Sequence, residues 1–288
     1  MTFCIKGIKF KIDFVFLIIG LLAALGGLYI EIIGALMALI IHEMGHLICG
    51  HVLGLLIEKV ELLPFGGKMT LRNLEQASIE SELATILSGP MANFVFYFFL
   101  LFLIGQDIVA TDIAHILVKY QLTLGLFNMI PALPLDGGRV FMLWLRNHIN
   151  YINAARIASK MGMILSGVLW FIVILGIFYK KYYINVIIIS VFLFLESYKE
   201  YREAPLLFIK ELIKKKKNLK DKGYMTIEPV VSMETTPVKN IFYLFSPKKY
   251  HVVYVLNENA NIIRCFTETE IFNKIVEEGL DIRMKDLL

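Results

Sequence analysis

The residues best equipped for chemistry stand in an unusual setting. His42-Glu43-Met44-Gly45-His46 lies inside the apolar run from Ile32 to Ile57. On a helix, positions i and i+4 share one face a turn apart, so both imidazoles can reach a single ion while the carboxylate between them sits beside it. Ionisable groups are rare in such runs because each is costly at membrane depth unless paired or metal-bound. Neutral His42 and His46 suit zinc, and Glu43 suits a general base. A plainer reading makes the two histidines buried helix residues paired with polar neighbours. His51, His115, His148 and His251 lack this geometry, and His51 is turned off the face that His42 and His46 share.

A catalytic zinc needs a third protein ligand and one position left open for water. The best supplier is Asp136, in Asn128-Met129-Ile130-Pro131-Ala132-Leu133-Pro134-Leu135-Asp136-Gly137-Gly138. Two prolines and two glycines predict a broken backbone there, and at membrane depth such a break is tolerated only where it lines a polar cavity. Asp136 has a second reading, as the N-cap of a helix running from Gly138 to Asn147.

The elements that must hold these residues are membrane spans. Hydrophobic residues make up 57% of the 288, and the mean hydropathy of +0.67 lies well outside the range of ordinary soluble domains. Runs long enough to cross a bilayer fall at Phe14 to Ile30, Ile32 to Ile57, Leu83 to Gly105 and Met161 to Tyr179, with weaker candidates at Ile113 to Ile130 and Tyr182 to Tyr198. This predicts an all-α polytopic domain of about six helices over residues 1–198. Lys59 to Leu71 alternates weakly around Gly66-Gly67 and reads as a membrane-associated hairpin whose free edge could hold a substrate extended.

Charge sets the orientation. Lys6, Lys9, Lys11, Lys59, Lys68, Arg72, Arg139, Arg146 and the C-terminal region would all lie in the cytoplasm, while Lys180 and Lys181 break the pattern. The net charge of +4 clusters beside spans and is not interleaved with aromatics, which argues against nucleic acid. Cys4, Cys49 and Cys265 are too scattered for a disulfide framework or a thiolate zinc site. Residues 199–224 form a basic cytoplasmic linker with nine Lys/Arg against four Asp/Glu. Residues 225–288 read as a small soluble α/β domain, with strands at Tyr250 to Leu256 and Ile262 to Phe266, a turn at Asn257-Glu258-Asn259 and a helix at Glu270 to Glu278.

HExGH on one span followed by NxxPxxxxDG on a later one resembles the site-2 protease family of intramembrane zinc metalloproteases. The resemblance implies His42, His46 and Asp136 as zinc ligands, Glu43 as base and proton shuttle, and Asn128 as a catalytic residue that orients substrate or stabilises the oxyanion. Pro64-Phe65-Gly66-Gly67 and Ser88-Gly89-Pro90 with Asn93 are also family-like, and imply substrate contacts at Phe65, Gly66, Asn93 and Pro134. The C-terminal residues are similar to a single CBS domain, which implies adenine nucleotide (ATP) at Thr267 and Glu270, although Glu270 stands where Asp is usual and Arg264 where Gly is usual. The whole is similar to the branch of the family that ends in a CBS domain and cleaves membrane-associated pro-sigma factors in spore-forming bacteria. That branch implies a cytoplasmic active-site opening, inhibitory membrane partners, and homo-oligomers formed through the CBS-like domain. A zinc transporter and an inactive receptor on the same scaffold are the competing readings; several ionisable sites along a route would mark the transporter, and Glu43 argues against the receptor.

Overall fold

A computed structural model describes residues 2–5, 8–12, 20, 24–55, 57–63, 66–71, 78–108, 111–180, 184–246, 249–279 and 281–288. The chain divides into two compact units, one of Met1–Trp144 with Ile157–Tyr201 and the other of Leu145–Arg156 with Arg202–Leu288.

The first unit opens on strands that the sequence reading missed, β1 (Thr2–Ile5) and β2 (Ile8–Ile12). They join β3 (Ile57–Leu63) and β4 (Gly66–Leu71) in one sheet of order β1-β2-β3-β4. The β3–β4 pair is the expected hairpin, antiparallel, with Leu63 opposite Gly66 and Leu62 opposite Gly67. Gly66-Gly67, around which the sequence placed the hairpin, are therefore ladder residues of β4. Strands β2 and β3 pair in parallel, so the chain must cross over between them, and α1 (Tyr29–Val52) lies in that connection.

Among the described residues, three helices are long and apolar enough to cross a membrane: α1, α2 (Ile79–Gly105) and, beyond α3 (Thr111–Asn128) and α4 (Asp136–Leu145), α5 (Tyr151–Phe178). Phe98 and Phe102 on α2 and Ile164 and Phe171 on α5 are each at least 60% exposed, a surface suited to lipid and not to water. Ser78 caps α2 by accepting the Ser81 N–H, and Glu80 and Glu82 complement the helix dipole in its first turn. Expected span 14–30 lies largely outside the described residues, span 113–130 corresponds to α3, and span 182–198 is the first part of α6 (Ile184–Lys222), which continues helical through most of the basic segment.

Small residues let the helices of this unit approach closely. A Cβ at Gly45 would lie 2.5 Å from the carbonyl oxygen of Ser88 and 2.8 Å from the Ala92 methyl, so α1 and α2 touch backbone to backbone one residue from His46.

The second unit holds a three-stranded sheet of order β5-β6-β7. Strand β5 (Ile227–Met233) pairs in parallel with β6 (Tyr250–Leu256), and β6 pairs antiparallel with β7 (Ile262–Thr267). Alternation along β6 buries His251, Val253 and Val255 with Ile241 and Phe242 of the short helix α7 (Val238–Phe242) and Ile271 of α8 (Glu268–Glu278). Asn257 closes the β6–β7 turn by accepting the Asn259 and Asn261 N–H groups. Lys215 of α6, 1% exposed, donates to the Ser246 and Lys249 carbonyls and pairs with Glu268 at 2.6 Å.

Candidate metal centre

Helix α1 presents His42, Glu43 and His46 on its buried face. The His42 Nε2 lies 2.9 Å and the His46 Nε2 3.2 Å from Asp136 Oδ2, and the two Nε2 atoms are 3.2 Å apart. The other ring nitrogens decide what these atoms are. His46 Nδ1 is 2.7 Å from the carbonyl oxygen of Thr85, which can only accept, so Nδ1 carries the proton. His42 Nδ1 is 2.7 Å from Asn93 Oδ1. The Asn93 amide is oriented by its own donors, since Nδ2 donates to the Ala38 carbonyl at 3.0 Å and to Gln121 Oε1 at 2.6 Å. His42 therefore also donates from Nδ1, and in the neutral rings both Nε2 lone pairs face the Asp136 carboxylate. Three acceptors converging at this range repel one another unless a cation lies among them, and two imidazoles with one carboxylate are a donor set suited to zinc.

Among the described residues, this is the one group of three or more His, Cys, Asp or Glu side chains whose ligand atoms converge. Glu43 adjoins it; its Oε1 is buried and without a hydrogen-bond partner among the described residues. An acceptor left unpaired in a buried site is costly, and here it fits a water beside the ion. Zinc therefore fits the residues present.

Asp136 reaches the histidines because the chain before it is tightly folded. Ala132 N–H bonds the Ile130 carbonyl and Leu135 N–H the Ala132 carbonyl, while the backbone of Leu133 is fixed at both polar groups, its N–H to Ala158 O on α5 and its carbonyl to Ser197 Oγ on α6. Side chains at 137 or 138 would run into the backbone of Met129–Ile130 and Ala132–Leu133, which accounts for Gly137-Gly138. Asp136 is the first residue of α4, inside the helix and not its flanking cap residue, and its Oδ2 lies beside both histidines.

The other expected site residues are less closely tied to this group. Asn128 is buried and donates to Leu124 of its own helix. Pro134 is half-buried two residues before Asp136, Gly66 opens β4, and Phe65 lies outside the described residues. Asn93, expected at the substrate, is fully buried, and its amide meets His42, Ala38 and Gln121. Thr267 and Glu270, in the other unit, form a capping box at the start of α8. Gly89 stands in the family-like Ser88-Gly89-Pro90, whose sequence does not show that it packs against His46. Thr85 and Gln121 are not marked by any motif, and of the two only Gln121, an amide in an apolar run, carries a signal in the sequence.

Comparison with known proteins extends this geometry. Residues 30–113, which include both histidines and Glu43, match the model of Peptidase family M50. Zinc metalloprotease MJ0392 of Methanocaldococcus jannaschii is 30% identical over 243 residues, covering 82% of this chain and 66% of the relative. The chain belongs to peptidase family M50. Stage IV sporulation protein FB of Bacillus subtilis, another M50 relative, is 26% identical over 201 residues, covering 69% of this chain and 68% of that protein. The chain thus spans about two thirds of the length of these curated relatives. The solved site-2 protease from Methanocaldococcus jannaschii superposes with a TM-score of 0.57 at 26% identity, covering 70% of this chain and 94% of that structure. M50 membership and the three apolar helices make this a membrane protein.

Proposed function

We propose that this M50 chain is an intramembrane zinc metalloendopeptidase that cleaves a peptide bond in or near a membrane-associated segment of a protein substrate. The observation that carries the reading is the convergence of His42 Nε2, His46 Nε2 and Asp136 Oδ2 beside the unpaired Glu43 Oε1. These three side chains would hold the ion. Bound zinc would polarise the scissile carbonyl and lower the pKa of a water towards about 7. Glu43 takes the water proton and returns it to the leaving amine, and Asn128 orients the substrate or steadies the developing oxyanion.

A protease needs its substrate extended, and β4 supplies an outer strand of the sheet to which a substrate segment can add. Phe65, Gly66 and Pro134 are the proposed contacts along that path. The substrate we propose is an inactive pro-sigma factor, supported by the sequence likeness to Stage IV sporulation protein FB. The reading places six spans over residues 1–198 on the apolar runs, and the distribution of Lys and Arg supports cytoplasmic termini, with the active site opening on that side. Residues 199–224 would then link the protease to a CBS-like domain over 225–288. Nucleotide at Thr267 and Glu270 would have to displace a capping box, so calorimetry of the full chain with ATP is the test, and absence of heat at millimolar ligand removes the nucleotide from the reading.

The experiment for the main proposal is incubation of the purified chain with a membrane-tethered pro-protein. Cleavage abolished by a zinc chelator and restored by zinc supports a protease; zinc-binding protein that leaves the substrate intact favours a receptor or a transporter.

A further inference from the structure

Gln121 takes no part in the chemistry just proposed, yet it is completely buried in α3 at the end of a chain of amides that leads to His42. Its Oε1 accepts from Asn93 Nδ2 at 2.6 Å, and Asn93 Oδ1 in turn faces His42 Nδ1 at 2.7 Å. An asparagine amide has two ends of nearly equal size, so which end meets the imidazole depends on its other partners. If the amide turned over, NH2 would face His42 Nδ1. The ring would then have to accept at Nδ1, and its proton would move to Nε2, the atom that must bind metal.

Two acceptors prevent that turnover. One is the Ala38 carbonyl on α1, which belongs to the helix and is fixed. The other is Gln121 Oε1, the shorter of the two contacts. Gln121 Nε2 is itself buried and has no partner among the described residues. An apolar residue in its place would remove that cost, so the amide is poorly explained by packing alone and well explained by the acceptor it offers.

We propose that Gln121 is a positioning residue for the metal centre: through Asn93 it fixes the tautomer of His42 and so the availability of its Nε2 lone pair. This rests on the zinc reading of His42, His46 and Asp136. It concerns metal affinity, and substrate contact is not involved.

The test sets two substitutions against each other in the full chain purified in detergent. Gln121→Met has nearly the same length and suits an apolar interior, but it cannot accept the Asn93 donor. Gln121→Glu keeps an acceptor and is the poorer fit to such an interior. Zinc affinity is measured by competition with a chromogenic chelator, and cobalt substitution gives a spectrum sensitive to the ligand set. Gln121→Met is expected to weaken zinc binding on the order of ten-fold, as loss of an outer partner of a ligating histidine does, and to alter the cobalt spectrum. Gln121→Glu should stay closer to the unaltered chain in both. A role in packing alone predicts the reverse order, and that order would overturn the inference, as would equal affinities and unchanged spectra in all three proteins. If the unaltered chain binds no zinc, the metal reading fails and this inference fails with it; zinc bound by the unaltered chain without the predicted order defeats the inference alone.

Discussion

Gly89 offers a sharp test, because helix propensity and site geometry make opposite predictions there. In a helix interior, Gly→Ala is ordinarily favourable by about 1 kcal/mol. At position 89, however, the three nearest neighbours of an added Cβ are all atoms of the His46 ring, and even the farthest, Cδ2, would be only 2.9 Å away. Carbon atoms settle at about 3.5 Å or more, so the ring must retreat by about 0.6 Å at the least. Metal–ligand distances hold within about 0.2 Å, which makes that retreat several times the tolerance. It would also strain the bond from His46 Nδ1 to Thr85 O, now 2.7 Å. Gly89→Ala should therefore bind zinc about ten- to a hundred-fold more weakly, comparable to loss of a histidine's outer partner. Chelator competition on the purified variant reads the affinity, and thermal unfolding of metal-free protein reads the fold. Unchanged zinc affinity together with raised stability would refute the reasoning, since His46 could then not be a ligand held against α2 at Gly89.

Three further outcomes follow from the same structure. Glu43→Gln should keep zinc, because both histidines and Asp136 remain, while hydrolysis falls by about 10²–10⁴-fold; metal content and turnover measured on one preparation check it. Asp136→Ala should lower zinc occupancy by elemental analysis, whereas loss of a helix cap alone would cost about 1 kcal/mol and leave the metal bound. In the second unit, burial pushes the Glu268 carboxyl up, but the hydrogen bond from His251 and the Lys215 ammonium outweigh it and hold it below its ordinary value near 4.5. Its stabilisation is therefore present above that ordinary value and is lost as pH falls through the lower folded one. Pepsin susceptibility of the unit should therefore rise as pH falls below 4.5, and Lys215→Met, which leaves a buried carboxylate without its cation, should make the unit easier to unfold at neutral pH.

Much of the candidate centre was legible because its information is local. The i, i+4 spacing of His42 and His46 needs only a helix, and Asp136 is marked by the prolines and glycines around it. In the second unit, strands β6 and β7 could be read from alternation and the turn from Asn257, since both are features of neighbouring residues. Contacts between distant segments were not legible. Asn93 meets His42 across 51 residues and Gln121 meets Asn93 across 28, and nothing in either stretch announces the partner. Strand β2 is hard to recognise because Lys9 and Lys11 look like flanking charges of a span, although they alternate with Ile8, Phe10 and Ile12. Its partner β3 lies beyond the whole of α1, so only the folded chain reveals the pairing.

The central claim is that His42, His46 and Asp136 hold one catalytic zinc, and X-ray absorption at the zinc edge of the purified full chain tests it most directly. The account predicts one zinc per chain with two imidazole nitrogens and otherwise oxygen at about 2.0–2.2 Å, and loss of that signal in His42→Ala and His46→Ala. Sulfur in the coordination shell, or a zinc signal that survives removal of both histidines, would contradict it.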